Sequence, residues 1–436
     1  SEDFYKKHNK IYLYQSGKTI KCTIYSVYDC LDKSATYNTD FSDDENDNIA
    51  KKYTVDVTVT LPTDISMADV TELVITAVNT QTSEESVANP VDGKASFTLN
   101  AGEYDFRASG SAKDYNLNGL VSKVSAYSDQ SVSLPLAIAS GSGLIFKEVY
   151  FTGVKDWYFK DAFYEIYNNS DEVQYLDGVI LGIVDNGLPV NVYVPSPSIW
   201  VDENGELLDR YPMASFTVAF PGTGKEHPLQ PGESVVVATN PIKHNERQLT
   251  GDDVASPVDL STADWDIYCG PFSSTDTDIN GIPNMDCLYL NASFGMDFMP
   301  SVDGQALILA KLPEGMTNVT FVADPENMMV APGKSDKAQL MIPREYVIDG
   351  IDIVPAIESD RYKHLKSTED VGMAWVDGSS NGSLASSAYS GKSLRRKVIA
   401  INNGRVVYKD TNNSSEDFIL GGQTPTPGTH PTGVDK

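Results

Sequence analysis

The chain has 436 residues and a formal net charge of −28 at pH 7, with 61 Asp and Glu residues against 33 Lys and Arg residues. So acidic a surface repels phosphate backbones and anionic headgroups, which argues against a nucleic-acid-binding protein and against membrane attachment through a basic patch. The sequence contains no run of about 20 apolar residues that would span a bilayer as a helix, and its length gives room for more than one domain with its own core.

Residues 1–50 are predicted to form a separate N-terminal segment. Two short apolar runs, at residues 11–14 and 19–25, are typical of strands. An acidic, polar run follows at residues 38–48 and has the composition of a solvated linker. We therefore expect a boundary near residue 50.

Residues 51–140 are predicted to form a small β-sandwich. Apolar and polar residues alternate without a break over residues 53–61, which indicates a strand with one buried face. The same alternation at residues 95–99 and 104–108, on either side of a short turn, predicts a hairpin. Several such runs within one unit favour an immunoglobulin-like or transthyretin-like sandwich.

Residues 141–420 are predicted to form a second, larger β-sandwich. Its first strand is predicted at residues 143–150. Residues 163–181 then have the pattern of a strand, a polar turn and a second strand, which predicts an opening hairpin. Further strands are predicted at residues 229–239, 305–310, 393–398 and 405–418. The predicted fold class is therefore all-β, with two immunoglobulin-like sandwiches in tandem.

Two segments of the larger domain lack strand patterns. Residues 241–300 are dense in Asp, Asn, Ser, Gly and Pro, and long irregular insertions of this kind usually carry function. We predict that this insertion contacts the protein's partner. Residues 421–436 form a Gly-, Pro- and Thr-rich tail, which we predict to be extended or disordered because it is too rich in Gly and Pro to pack.

The four cysteines form two local pairs. Cys22 and Cys30 are close in sequence, as are Cys269 and Cys287. This spacing predicts two disulfides that close short loops in an oxidising compartment, with free thiols as the alternative.

A short acidic motif predicts a calcium site in the insertion. Asp276, Asp278 and Asn280 alternate before a glycine, and Asp286 lies beside the last ligand position of such a loop. An ordinary Asp- and Asn-rich turn is the alternative reading. No other cofactor is predicted. The sequence has no serine-hydrolase, zinc-protease or phosphate-loop motif, so no enzymatic activity is predicted.

Three tryptophans and one glutamate are further candidates. Trp157, Trp200 and Trp265 lie in predicted loops, where an exposed indole would stack on a sugar or anchor a protein partner. Core filling is the alternative for each of them.

Glu165 lies within an apolar strand, and a buried carboxylate needs a partner. Arg395 or Arg396, in the predicted closing strand, is expected to supply a structural ion pair.

Five motifs in this order resemble the lamin-tail type of immunoglobulin-like domain. They are an opening strand that ends in Glu148 and Val149, an aromatic-Glu-Ile-aromatic-Asn run at 164–168, Leu-x-Pro-Gly-Glu at 229–233, Ser-x-Arg-Arg at 393–396, and an Asp-Thr-x-Asn ending at 410–418. Residues 93–104 resemble a hairpin of carboxypeptidase-regulatory-like domains. The whole chain resembles a family of uncharacterised, lipid-anchored surface proteins of Bacteroidetes-type bacteria.

The resemblance implies a location and a class of partner. It implies secretion to the bacterial outer membrane or cell surface, with a lipid anchor on an acylated Cys that an acidic stretch follows. The chain departs from this pattern, because its acidic stretch at residues 42–46 follows Phe41 and not Cys. The alternative is that residues 1–3 are the stretch that follows the anchor Cys. The resemblance also implies a non-enzymatic binding or accessory protein that acts with an outer-membrane partner such as a TonB-dependent receptor. A glycan-binding module, a glycan hydrolase and a structural envelope protein remain as alternatives.

Overall fold

The computed structural model describes residues 11–16, 19–24, 51–62, 65–82, 84–112, 115–139, 143–155, 158–170, 172–185, 195–270, 272, 276–290, 297–298, 300–335, 337–378, 389–402 and 404–435. Within these residues the chain is almost entirely β, which confirms the predicted fold class. The two α-helices among them, α1 (Asn318–Ala323) and α2 (Ser414–Asp417), have one turn or little more. Neither has the length or the apolar character that crossing a bilayer requires. The chain divides into two compact units, Ser1–Lys52 and Tyr53–Lys436.

The first unit contains one described hairpin. Its strands are β1 (Ile11–Ser16) and β2 (Thr19–Ile24), which pair antiparallel with Leu13 opposite Cys22. Cys30, the predicted partner of Cys22, lies outside the described residues.

The second unit begins with a small sandwich of two sheets. Its strands are β3 (Lys52–Thr60), β4 (Val70–Asn79), β5 (Glu85–Ala88), β6 (Lys94–Asn100), β7 (Gly102–Ala112), β8 (Tyr115–Ala126), β9 (Gln130–Pro135) and β10 (Ala137–Ala139). One sheet has the order β6-β3-β9 and the other β10-β8-β7-β4-β5. Alternate residues of β3, such as Val55 and Val57, are buried as the alternation predicted.

The hairpin predicted around residue 101 is wrong. Strand β6 pairs with β3, whereas β7 pairs with β4 and β8, so the chain crosses from one sheet to the other between Asn100 and Gly102. Phe97 and Phe106 face each other across the core, with ring centroids 5.5 Å apart. Both strands keep their apolar residues on the core side, and this is the only property that a period of two determines.

The larger sandwich packs a five-stranded sheet on a seven-stranded one. Its strands are β11 (Leu144–Tyr150), β12 (Phe163–Asn168), β13 (Gln174–Tyr175), β14 (Val179–Val184), β15 (Arg210–Ala219), β16 (Pro228–Leu229), β17 (Ser234–Ala238), β18 (Trp265–Asp266), β19 (Asp286–Leu290), β20 (Leu307–Lys311), β21 (Met328–Met329), β22 (Gln339–Pro343), β23 (Val347–Ile351), β24 (Leu394–Arg395), β25 (Val398–Asn402) and β26 (Arg405–Tyr408). The five-stranded order is β18-β17-β12-β11-β24. The larger sheet runs β21-β22-β15-β14-β20-β23, with β19 also on β15.

The predicted opening hairpin of this domain also spans the two sheets. Strand β12 pairs with β11 and β17, and β14 pairs with β15 and β20, so the two strands are not neighbours. Both strands are fully buried along their length. A strand–turn–strand pattern is therefore present as predicted, but its two strands face each other across the core.

The C-terminal tail packs against the domain, so the expectation that it would not is wrong. Gln423 exchanges two backbone hydrogen bonds with Ser393, at 2.8 and 2.9 Å. Asp435 forms an ion pair with Arg395, with its Oδ1 atom 3.0 Å from the guanidinium. Gly and Pro contribute little to an apolar core, but the non-proline residues of the tail keep both backbone groups, and those of Gln423 bond to Ser393.

Glu165 is buried as predicted, but its ion-pair partner is Lys147. The Lys147 Nζ lies 2.6 Å from Glu165 Oε1, and both side chains are 0% exposed. A β-bulge between the pairs Phe146–Ile166 and Glu148–Glu165 leaves Lys147 without a paired residue. Because a bulge interrupts the alternation of faces, Lys147 and Glu148 both bond to the C-terminal tail.

The two arginines predicted as partners of Glu165 serve other carboxylates. Arg396 is buried and lies 2.7 Å from Asp349, 3.1 Å from Asp410 and 3.2 Å from Asp417. Arg395 pairs with Asp435, as described above. Arg395 and Arg396 thus form ion pairs with carboxylates of β23 and of the C-terminal segments, and neither neutralises Glu165.

Replacement of Lys147 tests the buried pair. We expect Lys147→Met to lower the free energy of unfolding by about 3–5 kcal/mol, because Glu165 remains buried without its cation. The double variant Lys147→Met/Glu165→Leu should recover most of that loss. Denaturant unfolding of both variants measures the effect, and equal losses in the single and double variants would contradict this account.

Candidate binding groove

A groove of about 650 Å³ lies on the larger sandwich. Its floor is the start of β17, one wall is formed by residues 259–264 of the insertion, and the other by residues 427–430 of the C-terminal tail. The groove therefore joins the two segments for which the sequence showed no strand pattern.

Asp264 attaches the insertion to the edge of β17. Strand β18 pairs with β17 in parallel only at Val237 and Ala238. Next to this short pairing, the Val236 N–H donates to Asp264 Oδ2 at 2.7 Å, and the Asp264 N–H donates to the Val236 carbonyl at 2.9 Å. Asp264 thus satisfies the backbone N–H and carbonyl of Val236 at the edge of β17, where strand pairing has ended.

A buried histidine holds the base of the insertion. His244 is 0% exposed, and its Nε2–H donates to the Asn240 carbonyl at 2.7 Å. Because a carbonyl can only accept, Nδ1 is the unprotonated nitrogen and accepts from the Tyr158 hydroxyl. The Arg247 guanidinium covers the Tyr158 ring, 4.3 Å from its centroid. Burial lowers the pKa of His244, so the neutral ring is the form that fits here.

A buried carboxylate makes a second attachment. Asp161 accepts hydrogen bonds from Ser256 of the insertion at 2.6 Å and from Tyr150 of β11 at 2.9 Å. Burial raises the pKa of Asp161 to about 6. The insertion is therefore tied to the sandwich by buried polar contacts at His244 and Ser256 and by the contact of Asp264 with β17.

The exposure predicted for two of the tryptophans is wrong. Trp200 is 2% exposed, with its Nε1 3.4 Å from Asp185 Oδ2. Trp265 lies in β18, 6% exposed, and packs edge-on against Phe220 with centroids 5.3 Å apart. Both were predicted to lie in loops because their neighbours in sequence are polar. In the structure each segment packs its tryptophan against the sandwich. Trp157 lies outside the described residues.

The four residues predicted to bind calcium do not converge. Asp276 accepts from the Cys269 N–H at 2.6 Å, and Asp278 accepts from the Asn284 amide at 3.1 Å. Asp286 belongs to β19 opposite Ala219, and Asn280 is exposed in the preceding loop. Across the described ranges, no three His, Cys, Asp or Glu side chains are grouped as metal ligands. Asp286 is part of β19 and therefore lies outside the loop that holds the other three residues. The spacing of the motif does not reveal where a strand begins.

Cys269 and Cys287 lie side by side, with their sulfur atoms 3.2 Å apart. Cys269 follows β18 of the five-stranded sheet, and Cys287 belongs to β19 of the larger sheet. Both are free thiols in the structure. A bond between them would join the two sheets of the sandwich.

Comparisons with known proteins agree with the coarser part of the resemblance. Residues 230–426 match the model of the family described as "Protein of unknown function (DUF4876)". The crystal structure of a DUF4876 family protein from Bacteroides thetaiotaomicron VPI-5482 is similar, with a TM-score of 0.53 and 24% sequence identity over 88% of this chain and 99% of that one. At this identity the likeness shows a common fold. No curated protein matches the chain.

The cysteine pair gives a prediction for an oxidising buffer. We expect Cys269 and Cys287 to form a disulfide, which closes a loop of about 15–20 residues and stabilises the fold by about 3 kcal/mol. Peptide mapping without reductant detects the crosslink, and unfolding with and without reductant measures its effect. A Cys287→Ala variant is the control, because it keeps Cys22 and Cys30 but cannot form this crosslink, so any effect of reductant that remains in it does not come from Cys269. Free thiols at both Cys269 and Cys287 after oxidation would refute the pairing.

The buried histidine gives a prediction for pH. The pKa of folded His244 lies below its unfolded value of about 6.5, so its contribution to stability is complete above that pH and is lost as the pH falls below it. Protonated Nδ1 can no longer accept from Tyr158. In His244→Gln the amide keeps the bond to Asn240 but cannot titrate. We therefore expect the stability difference between wild type and variant to decrease from pH 7.5 to 5.

This comparison removes the opposing contribution of Asp161, whose raised pKa makes its burial less costly as the pH falls through about 6. The exposed carboxylate of Asp259, which favours the charged imidazole, is present in both proteins as well. Parallel stability curves for the two proteins would rule out the titration of His244 as the cause.

Proposed function

We propose that the protein is a non-enzymatic binding protein of the bacterial cell surface that receives a partner protein in the groove between the insertion and the tail. The observation that carries this proposal is that the insertion forms a braced wall. Asp264 ties it to β17. His244 and Ser256 tie it to the segment between β11 and β12, through Tyr158 and Asp161. A wall fixed before binding loses little conformational entropy when a partner docks, which favours affinity.

The charge of the groove favours a cationic partner surface. Glu233, Asp259 and Asp264 line it, and its lining includes no Lys or Arg among the described residues. His430 also faces the groove, and burial lowers its pKa to about 4, so it is neutral at pH 7. Complementary charge steers association and selects partners. The groove therefore suits a loop or strand that carries Lys or Arg.

The cell-surface location belongs to the same proposal. The resemblance to lipid-anchored surface proteins with a lamin-tail-like domain supports it. On this reading the protein is lipid-anchored, and the partner is an outer-membrane protein such as a TonB-dependent receptor.

A binding role is favoured over catalysis by the state of the central carboxylates. Glu148 and Glu165 lie on neighbouring strands, but both are 0% exposed. Glu148 accepts from Ser393 and Thr426, and Glu165 from Lys147 and Ser234. Carboxylates that are sealed from solvent and fully used in hydrogen bonds are poorly suited to meet a substrate.

The two alternatives differ in what they require. A glycan-binding module needs an exposed aromatic platform, and Trp200 and Trp265 do not provide one because they are buried. A structural envelope protein needs no specific ligand at all. Both alternatives are distinguishable outcomes of the following experiment.

Crosslinked pull-down from the native envelope tests the groove. We expect wild-type protein to recover one dominant outer-membrane protein, and Thr262→Trp to reduce its recovery by about tenfold or more, because the exposed Thr262 lies on the groove wall. Thr98→Trp, on an exposed position of β6 in the small sandwich, is the matched control and should bind normally.

Charge at the same position tests the predicted chemistry of the partner. We expect Thr262→Lys to weaken recovery more than Thr262→Glu, because only the former opposes a cationic surface. Equal recovery by Thr262→Trp and Thr98→Trp would exclude the groove. Recovery of the protein alone would favour a structural role, and a glycan-array signal would favour the carbohydrate alternative.

A further inference from the structure

The loop between β18 and β19 contains a buried carboxylate that lacks a full set of partners. Asp266 of β18 is 0% exposed. Its Oδ2 accepts from the Ile279 N–H at 3.2 Å, whereas its Oδ1 is buried and has no hydrogen-bond partner within the described part of the chain. Leaving a buried carboxylate oxygen unsatisfied is costly, so the site favours whatever supplies a positive charge to it.

A second unsatisfied oxygen belongs to the residue that pairs with Asp266. The backbones of Asn284 and Asp266 form an isolated parallel β-bridge. The Asn284 side-chain oxygen is buried and has no hydrogen-bond partner among the residues described. The Asn284 amide donates to Asp278 Oδ1 at 3.1 Å, which brings the carboxylate of Asp278 to the same place. These contacts link three oxygen-bearing side chains of β18 and of the loop that precedes β19.

We propose that Asp266, Asp278 and Asn284 bind a calcium ion. Calcium takes about six to eight oxygen ligands and accepts carboxylates, amide carbonyls, backbone carbonyls and water in flexible geometry. Two carboxylates and one amide would supply part of this set, and backbone carbonyls or water the rest. Magnesium requires near-ideal octahedral geometry and gives up its water reluctantly, so we expect this loop to bind it more weakly than calcium.

This ligand set differs from the one the sequence motif predicted. Both oxygens of Asp276 are occupied, because they accept from the N–H groups of Cys269 and Thr277. Asp286 is exposed on β19, opposite Ala219. Asp266 lies ten residues before the motif and is joined to it only by the fold, through its bond to Ile279.

The site would brace the same wall that forms the groove. Asp266 follows Asp264, the groove residue that caps the edge of β17, by two positions in the chain. A cation at Asp266 would hold the 276–284 loop against β18 and thereby fix the end of the insertion. The inference stands independently of the proposed function, because it concerns the metal and not the partner.

Thermal unfolding of chelator-stripped protein tests the site. We expect 10 mM CaCl₂ to raise the melting temperature by about 2–5 °C, as for a site with an affinity of about 10⁻⁴–10⁻³ M, and equal MgCl₂ to raise it less. The calcium-induced rise should be absent in Asp266→Asn and in Asp278→Asn. It should be undiminished in Asp286→Asn, the matched control from the set that the motif predicted.

The readout is the difference that calcium makes to each protein, so a change in the baseline stability of Asp266→Asn does not affect the result. Asp278 is exposed, which makes Asp278→Asn the variant with the least risk to folding. Calorimetric titration should give one site per chain in wild type. No calcium-dependent shift in wild type, or an equal shift in Asp266→Asn and Asp286→Asn, would overturn the proposal and leave a proton as the occupant of Asp266.

Discussion

The larger sandwich depends on the ion pair between Lys147 and Glu165, and on the tail that covers it. Both side chains lie on the outer face of the five-stranded sheet, where they would meet water if the chain ended earlier. The Thr429 carbonyl accepts from Lys147, and the Gly428 N–H donates to Glu165. Because a buried charge must be paired and hydrogen-bonded, the tail is a structural part of the domain.

The strands could be predicted from the sequence, but their pairing could not. Alternation correctly located β6 and β7, and continuous apolar runs located β12 and β14. Both pairs were expected to be hairpins, and in both the chain crosses to the opposite sheet. Periodicity reports which side of a strand faces the core. It contains no information about which backbone lies beside it, since hairpins and crossings bury the same residues.

The errors at individual side chains have a common physical origin in irregular backbone. A bulge at Lys147 places the consecutive charged residues Lys147 and Glu148 on one face of β11. Lys147 therefore pairs with Glu165 of the neighbouring strand, in place of the predicted Arg395 or Arg396. At Trp265 a two-residue strand pairs in parallel with β17 and carries the ring into the core. Neither a bulge nor so short a pairing leaves a repeating pattern in the sequence.

The polar residues of the insertion suggest an irregular loop, but several of them are buried and hold the insertion in place. His244, Ser256 and Asp266 are all buried, and the first two are bonded to residues that flank or form the central strands. A segment that is stabilised by specific polar contacts can be rigid without a hydrophobic core of its own, provided that each group finds its partner. Rigid loops at the end of a sandwich are suited to recognition, because the scaffold has already met the cost of ordering them. The same dependence on polar partners makes the wall sensitive to protons. The unsatisfied oxygens of Asp266 and Asn284 are where a cation would complete it.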